Sequence, residues 1–157
     1  MRNFIALAAL AILLIPNFTN AQNSAATNSV LKTGVWEGKA TYINSAIKLN
    51  VESVTGRHVK AQLNFIDSGN AIVELSGEIV ESFGDFAEQS KWQFVTKDKK
   101  FKDGTWVKLT EVKLIQGSWD IKQTYYVFVA GDSMVGCFYY ANEPQPRGRI
   151  ELHAPEQ

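Results

Sequence analysis

One cysteine, Cys137, is all that the 157 residues contain, so no intramolecular disulfide can brace this chain and its stability has to come from a core. Histidine is nearly as scarce. His58 and His153 stand in no spacing used by metal sites or catalytic triads. Net charge is missing too: 16 Lys and Arg balance 16 Asp and Glu, and no overall field draws the chain to nucleic acid or to an anionic membrane. Neither a Gly-x-Ser-x-Gly elbow, nor a phosphate loop, nor a cysteine pair occurs, which disfavours nucleophilic hydrolases, nucleotide enzymes and thiol redox chemistry. The expectation is a protein without cofactor, metal or catalytic function.

What is present begins with an export pattern. Arg2 supplies a positive start, Phe4 to Ile15 is an uncharged apolar run, and Pro16 breaks it. The run is too short for a spanning helix, which needs ~20 residues. Small residues Thr19 and Ala21 suit cleavage after Ala21, so residues 1–21 read as a signal peptide and the product as periplasmic or secreted, with no membrane span once the signal is removed. Residues 22–33 are mostly Asn, Ser, Ala and Thr and read as a flexible tether. The folded domain is expected over 34–153, with 154–157 as a tail.

From Gly34 onward the apolar period is two. Ile47, Leu49 and Val51 alternate with Lys48, Asn50 and Glu52, and Val59, Ala61, Leu63 and Phe65 alternate with polar neighbours. Thr55-Gly56-Arg57 joins these runs as a hairpin link, and Asp67-Ser68-Gly69-Asn70 is a second turn. Similar runs cover Ala71 to Ile79, Trp92 and Phe94, Trp106 to Leu109, Val112 to Ile121, Thr124 to Ala130, Ser133 to Ala141 and Arg149 to Leu152. No stretch carries a helical apolar period. The predicted fold is all-β: an antiparallel meander of about 8–10 strands, closed or nearly closed into a barrel because a flat sheet would leave vulnerable edges.

Gly34-x-Trp36-x-Gly38 at the start and Arg147-Gly148-Arg149 at the end resemble the calycin barrels, the group containing lipocalins and fatty-acid-binding proteins. The resemblance implies a floor tryptophan, Trp36, packed near an arginine of the last strand, Arg149 or else Arg147, and a small-molecule pocket inside the barrel. Glu37 stands where lipocalins carry Tyr, and the middle motifs of the family are not recognisable. The bland reading of Trp36 is a large core residue at a strand start.

Two segments are apolar on both faces: Tyr125-Tyr126-Val127-Phe128-Val129 and, across Gly131-Asp132, Met134 to Tyr140. Something must cover the second face. One expectation is a ligand lining formed by Tyr126, Phe128, Phe138 and Tyr140, with Trp92 and Phe94, around a small apolar or amphipathic molecule. The other is a surface of Tyr125, Val127 and Val129 for another extracytoplasmic protein. Tyrosines tolerating exposure are the third possibility. The carboxylates Glu74 and Glu78 share a polar strand face and read as solvated, and Thr96 to Asp103 reads as an exposed mixed-charge loop. Cys137 reads as a buried small hydrophobe.

Overall fold

The computed structural model describes residues 31–81, 104–140, 143 and 146–154. Among them are eight strands: β1 (Gly34–Ala40), β2 (Ser45–Thr55), β3 (His58–Phe65), β4 (Ala71–Val80), β5 (Thr105–Gln116), β6 (Gln123–Ala130), β7 (Ser133–Tyr140) and β8 (Gly148–His153). Each pairs antiparallel with the next, and β8 returns to β1 through Gly38↔Leu152 and Ala40↔Ile150. The meander is therefore a closed barrel, agreeing in architecture with the calycin type. Closure leaves the sheet no edge over the paired residues. Among the described residues no helix is long and apolar enough to cross a membrane.

Period-two alternation sets which side chains point in. Trp36, Ile47, Leu49, Val51, Leu63, Phe65, Val73, Leu75, Val107 and Leu109 all lie in one continuous core. An eight-stranded barrel is narrow enough for its own side chains to fill. Among the described residues, the space left between Leu49, Leu63, Leu75, Leu109, Tyr125 and Val127 is about 10 Å³, at the lower limit for one water. Gly38 permits the closure itself, since a Cβ there would lie 1.8 Å from the carbonyl oxygen of Glu151 on β8. Any other residue would force the two closing strands apart.

The strand expected to break between Leu109 and Val112 is continuous. Its register against β4 shifts twice, between Leu75↔Glu111 and Glu74↔Lys113 and again between Val73↔Leu114 and Ile72↔Gln116. Each bulge adds one residue to β5 and resets the in-out parity. Val112 and Ile115 are consequently turned outward, 50% and 46% exposed, which erased the alternation that would have marked a single strand. Residues 118–121, expected to continue a strand, lie between β5 and β6.

The tether assignment also needs correction at its end. Leu31 belongs to the core, Lys32 pairs with Asp132 at 2.5 Å, and the Lys32 carbonyl accepts the Trp36 indole N–H at 2.9 Å. Composition alone gave these residues no partner, because their partners lie on β1 and in the β6–β7 turn. Residues 1–30, with the export segment, and the expected strand carrying Trp92 and Phe94 lie outside the described residues.

Candidate functional site

The site grows from one residue that violates the interior pattern. Glu111 follows Val107 and Leu109 on the inward parity of β5, so a carboxylate is carried into the wall of an apolar barrel and is only 6% exposed. Burying a carboxylate without partners is costly. This one is surrounded by donors because the β5–β6 ladder stops early, at Thr110↔Thr124. Beyond that rung the strands part, and Gly117 (φ +81°) starts the connection that carries the chain away from β5. A Cβ at Gly117 would lie 2.9 Å from Cα of Ala71, so both the left-handed backbone and the tight approach suit glycine.

The Glu111 side chain then takes over the bonding that the ladder gives up. Its Oε2 accepts the backbone N–H groups of Lys122 and Gln123, both at 3.1 Å. Its Oε1 accepts the Trp119 indole N–H at 3.0 Å and the Tyr125 hydroxyl at 2.5 Å. Trp119 is thereby fixed over the barrel end, its ring stacked on Phe65 with centroids 4.1 Å apart. The Tyr125 oxygen also lies 2.8 Å from Oε1 of Gln123. A phenol has one proton, so the hydroxyl donates to only one of these oxygens at a time.

Burial pushes the Glu111 carboxyl above its ordinary value, against the opposing pull of the Tyr125, Gln123, Trp119 and Lys122 donors. Burial, reinforced by the neighbouring carboxylate, likewise holds the Tyr125 phenol well above the usual range. A proton on Glu111 would turn the Tyr125 hydroxyl toward Gln123.

Outside this network lies an open cleft of about 770 Å³, lined by Ser118, Trp119, Asp120, Lys122, Gln123, Tyr140 and Glu143. Its charges are internally paired. The Lys122 ammonium contacts the Asp120 carboxylate, and Arg147 forms a two-pronged pair with Glu143 at 2.5 and 2.6 Å. Arg147 also sits over the Tyr140 ring, 5.3 Å from its centroid, while Phe138 meets the same ring edge-on. Arg147 holds the Glu143 carboxyl below its usual range. Among the described residues no group of three His, Cys, Asp or Glu side chains is placed to hold a metal ion.

The residues singled out from the sequence are divided by the register Tyr125↔Phe138 and Tyr126↔Cys137. Phe138 faces inward, and Tyr140 shares its parity and reaches the cleft. Tyr126 and Phe128 take the opposite face, with Trp106, Val135, Cys137 and Tyr139 in small apolar clusters on the barrel's outer side. A single lining of Tyr126, Phe128, Phe138 and Tyr140 is therefore not formed, because directly opposed residues share a face and 126 opposes 137, not 138. Tyr125, Val127 and Val129, expected as a partner surface, are interior at 2%, 1% and 0% exposure and present no surface. The outer aromatic face is itself covered, with Phe128 at 7% and Cys137 at 0%. Burial pushes the Cys137 thiol up to about 12.

Trp36 is wholly buried inside the barrel. Arg149 is not its partner. It lies on the outward parity of β8, opposite Cys137 and between inward Gly148 and Ile150, and pairs with Glu151 at 2.5 Å. Arg147 lies at the cleft end with Tyr140 and Glu143, so the indole is satisfied by the Lys32 carbonyl instead.

Glu111 and Gln123 were not foreseen. Their signal was available: each is a polar residue on the phase of an apolar strand face, Glu111 after Val107 and Leu109, Gln123 before Tyr125 and Val127. Compared with known proteins, the chain matches no family model, and no curated protein is significantly similar to it.

Proposed function

We propose that this chain is an exported, non-catalytic binding protein whose ligand sits in the cleft at the Trp119 end of the barrel and not in the barrel interior. The observation that carries this reading is the contrast in volume: about 770 Å³ in the cleft against about 10 Å³ among the interior side chains. Small-molecule sites commonly span roughly 300–1,000 Å³. The calycin resemblance enters this reading as architecture only, because the described interior side chains leave about 10 Å³ between them. Export rests on the pattern of residues 1–21. The charged groups among the cleft's described residues are engaged with one another, which suits a cleft that holds a ligand.

The test is a screen of mixed small fragments against isotope-labelled mature protein, read by backbone amide shifts. The expected result is a set of shifts concentrated at Ser118, Asp120, Lys122, Gln123, Tyr140 and Glu143. Shifts concentrated instead at Leu49, Leu63, Leu75 and Leu109, or a lipid carried through purification inside the barrel, would overturn it in favour of an interior site. A screen that moves nothing in the cleft would overturn it as well.

A further inference from the structure

The walls of the cleft also bear on what kind of molecule fits there. We propose that the cleft takes a neutral, hydroxyl-rich ligand, in chemical class a saccharide; this rests on the cleft being the binding site.

Charge is the first argument. Asp120 is matched by Lys122, and Glu143 by Arg147 through two contacts. A strongly charged ligand would meet no uncommitted counter-ion among these four residues and would have to break a pair to gain one. An uncharged ligand leaves both pairs intact.

The second argument is the pairing of aromatic and polar walls. Trp119 and Tyr140 are each packed against a neighbour, Phe65 at 4.1 Å and Arg147 at 5.3 Å, so two amphipathic rings are in place before any ligand arrives. Preorganised walls lower the entropy lost on binding. The same cleft is lined by the Ser118 hydroxyl, the Asp120 carboxylate, the Lys122 ammonium and the Gln123 amide. A purely apolar ligand would strip water from the exposed Ser118, Asp120 and Lys122 groups and return no hydrogen bonds. A pyranose ring answers both surfaces, because its C–H face is apolar while each rim hydroxyl both donates and accepts. A carboxylate edge and an ammonium can therefore share the same ring. The cleft volume has room for more than one such ring.

The experiment titrates the mature protein with cellotetraose, maltotetraose and chitotetraose as neutral probes, tetragalacturonate and spermidine as charged probes, and palmitate as the apolar probe. Binding is read by amide and indole N–H shifts. At least one neutral probe is expected to move Trp119, Gln123 and Tyr140, with an affinity unchanged between low and high ionic strength. Tyr140→Ala should weaken that affinity about tenfold. Asp120→Ala, at an exposed position clear of the barrel wall, should weaken it as well and serves if the Tyr140 variant does not fold. Cleft shifts from the charged probes or palmitate alone would overturn the saccharide assignment while leaving the cleft as the binding site. No cleft shift from any probe would overturn both.

Discussion

The hairpin of β2 and β3 and the hairpin of β5 and β6 are built from the same alternation, yet they end differently. Rungs between β2 and β3 continue to Thr55↔His58, directly beside the turn, whereas those between β5 and β6 stop at Thr110↔Thr124 and leave residues 111–123 to be closed by side chains. The first arrangement carries no charged group inside and makes a solid wall. The second admits a carboxylate to the wall, opens a gap at the barrel end, and places a cleft there. A backbone ladder seals; a side-chain bridge holds strands together while leaving room between them.

The widest separation between the two corners should come from cutting into the sealed wall. Leu63→Ala removes a fully enclosed side chain from β3 and is expected to cost about 3 kcal/mol in urea unfolding, with cleft amide shifts unchanged. Movement of the Trp119 and Gln123 signals in that variant would show that wall and cleft are one coupled unit.

At the open corner, Glu111→Ala strands the Trp119 indole, the Tyr125 hydroxyl and two backbone N–H groups in a partly buried site. A loss of about 2 kcal/mol is expected, together with faster hydrogen exchange at the amides of residues 118–123 and no change in β2–β3. Exchange rising equally in both hairpins would contradict a bridge that acts locally.

A smaller effect follows from the raised Glu111 carboxyl. Between its unfolded value, near 4.5, and the higher folded one, the folded chain keeps a proton that the unfolded chain has lost. Stability from this group is therefore full below that window and declines as pH rises through it. Glu111→Gln should flatten that part of the stability profile. An unchanged slope would place the pH dependence on another group.

The Cys137 thiol, buried on the outer side of β7 and pushed up to about 12, should not react with a disulfide reagent at neutral pH until the protein unfolds. Rapid native-state modification would show that the outer face opens. Least of all is expected from Lys122→Ala, whose ion pair with Asp120 is solvent-exposed: within about 0.5 kcal/mol of the parent in urea unfolding.

Much of the wall was legible because burial on one face and water on the other write a period of two into the chain. Leu49 and Leu63 face inward as their spacing demands, and Gly56 and Gly131 sit in turns between strands. The aromatic hairpin was less legible. With Tyr, Phe and Val on both parities, composition cannot choose the inward set, and Tyr125 and Phe138 face the core together only because register opposes them. Bulges hid the continuity of β5 by the same mechanism, since one extra residue reverses the phase that a reader follows.

By itself the sequence determined an all-β chain whose alternating apolar face has to be hidden from water, in a sandwich or a barrel, with the meander of hairpins favouring the barrel. Only the tertiary structure decided that the barrel closes, that little space is left between Leu49, Leu63, Leu75 and Leu109, and that among the described residues Glu111 and not Arg149 is the buried charge. It also decided that the open volume lies beside Trp119. These depend on which strands lie opposite each other and where a ladder stops, and those long-range relations leave no local period to read.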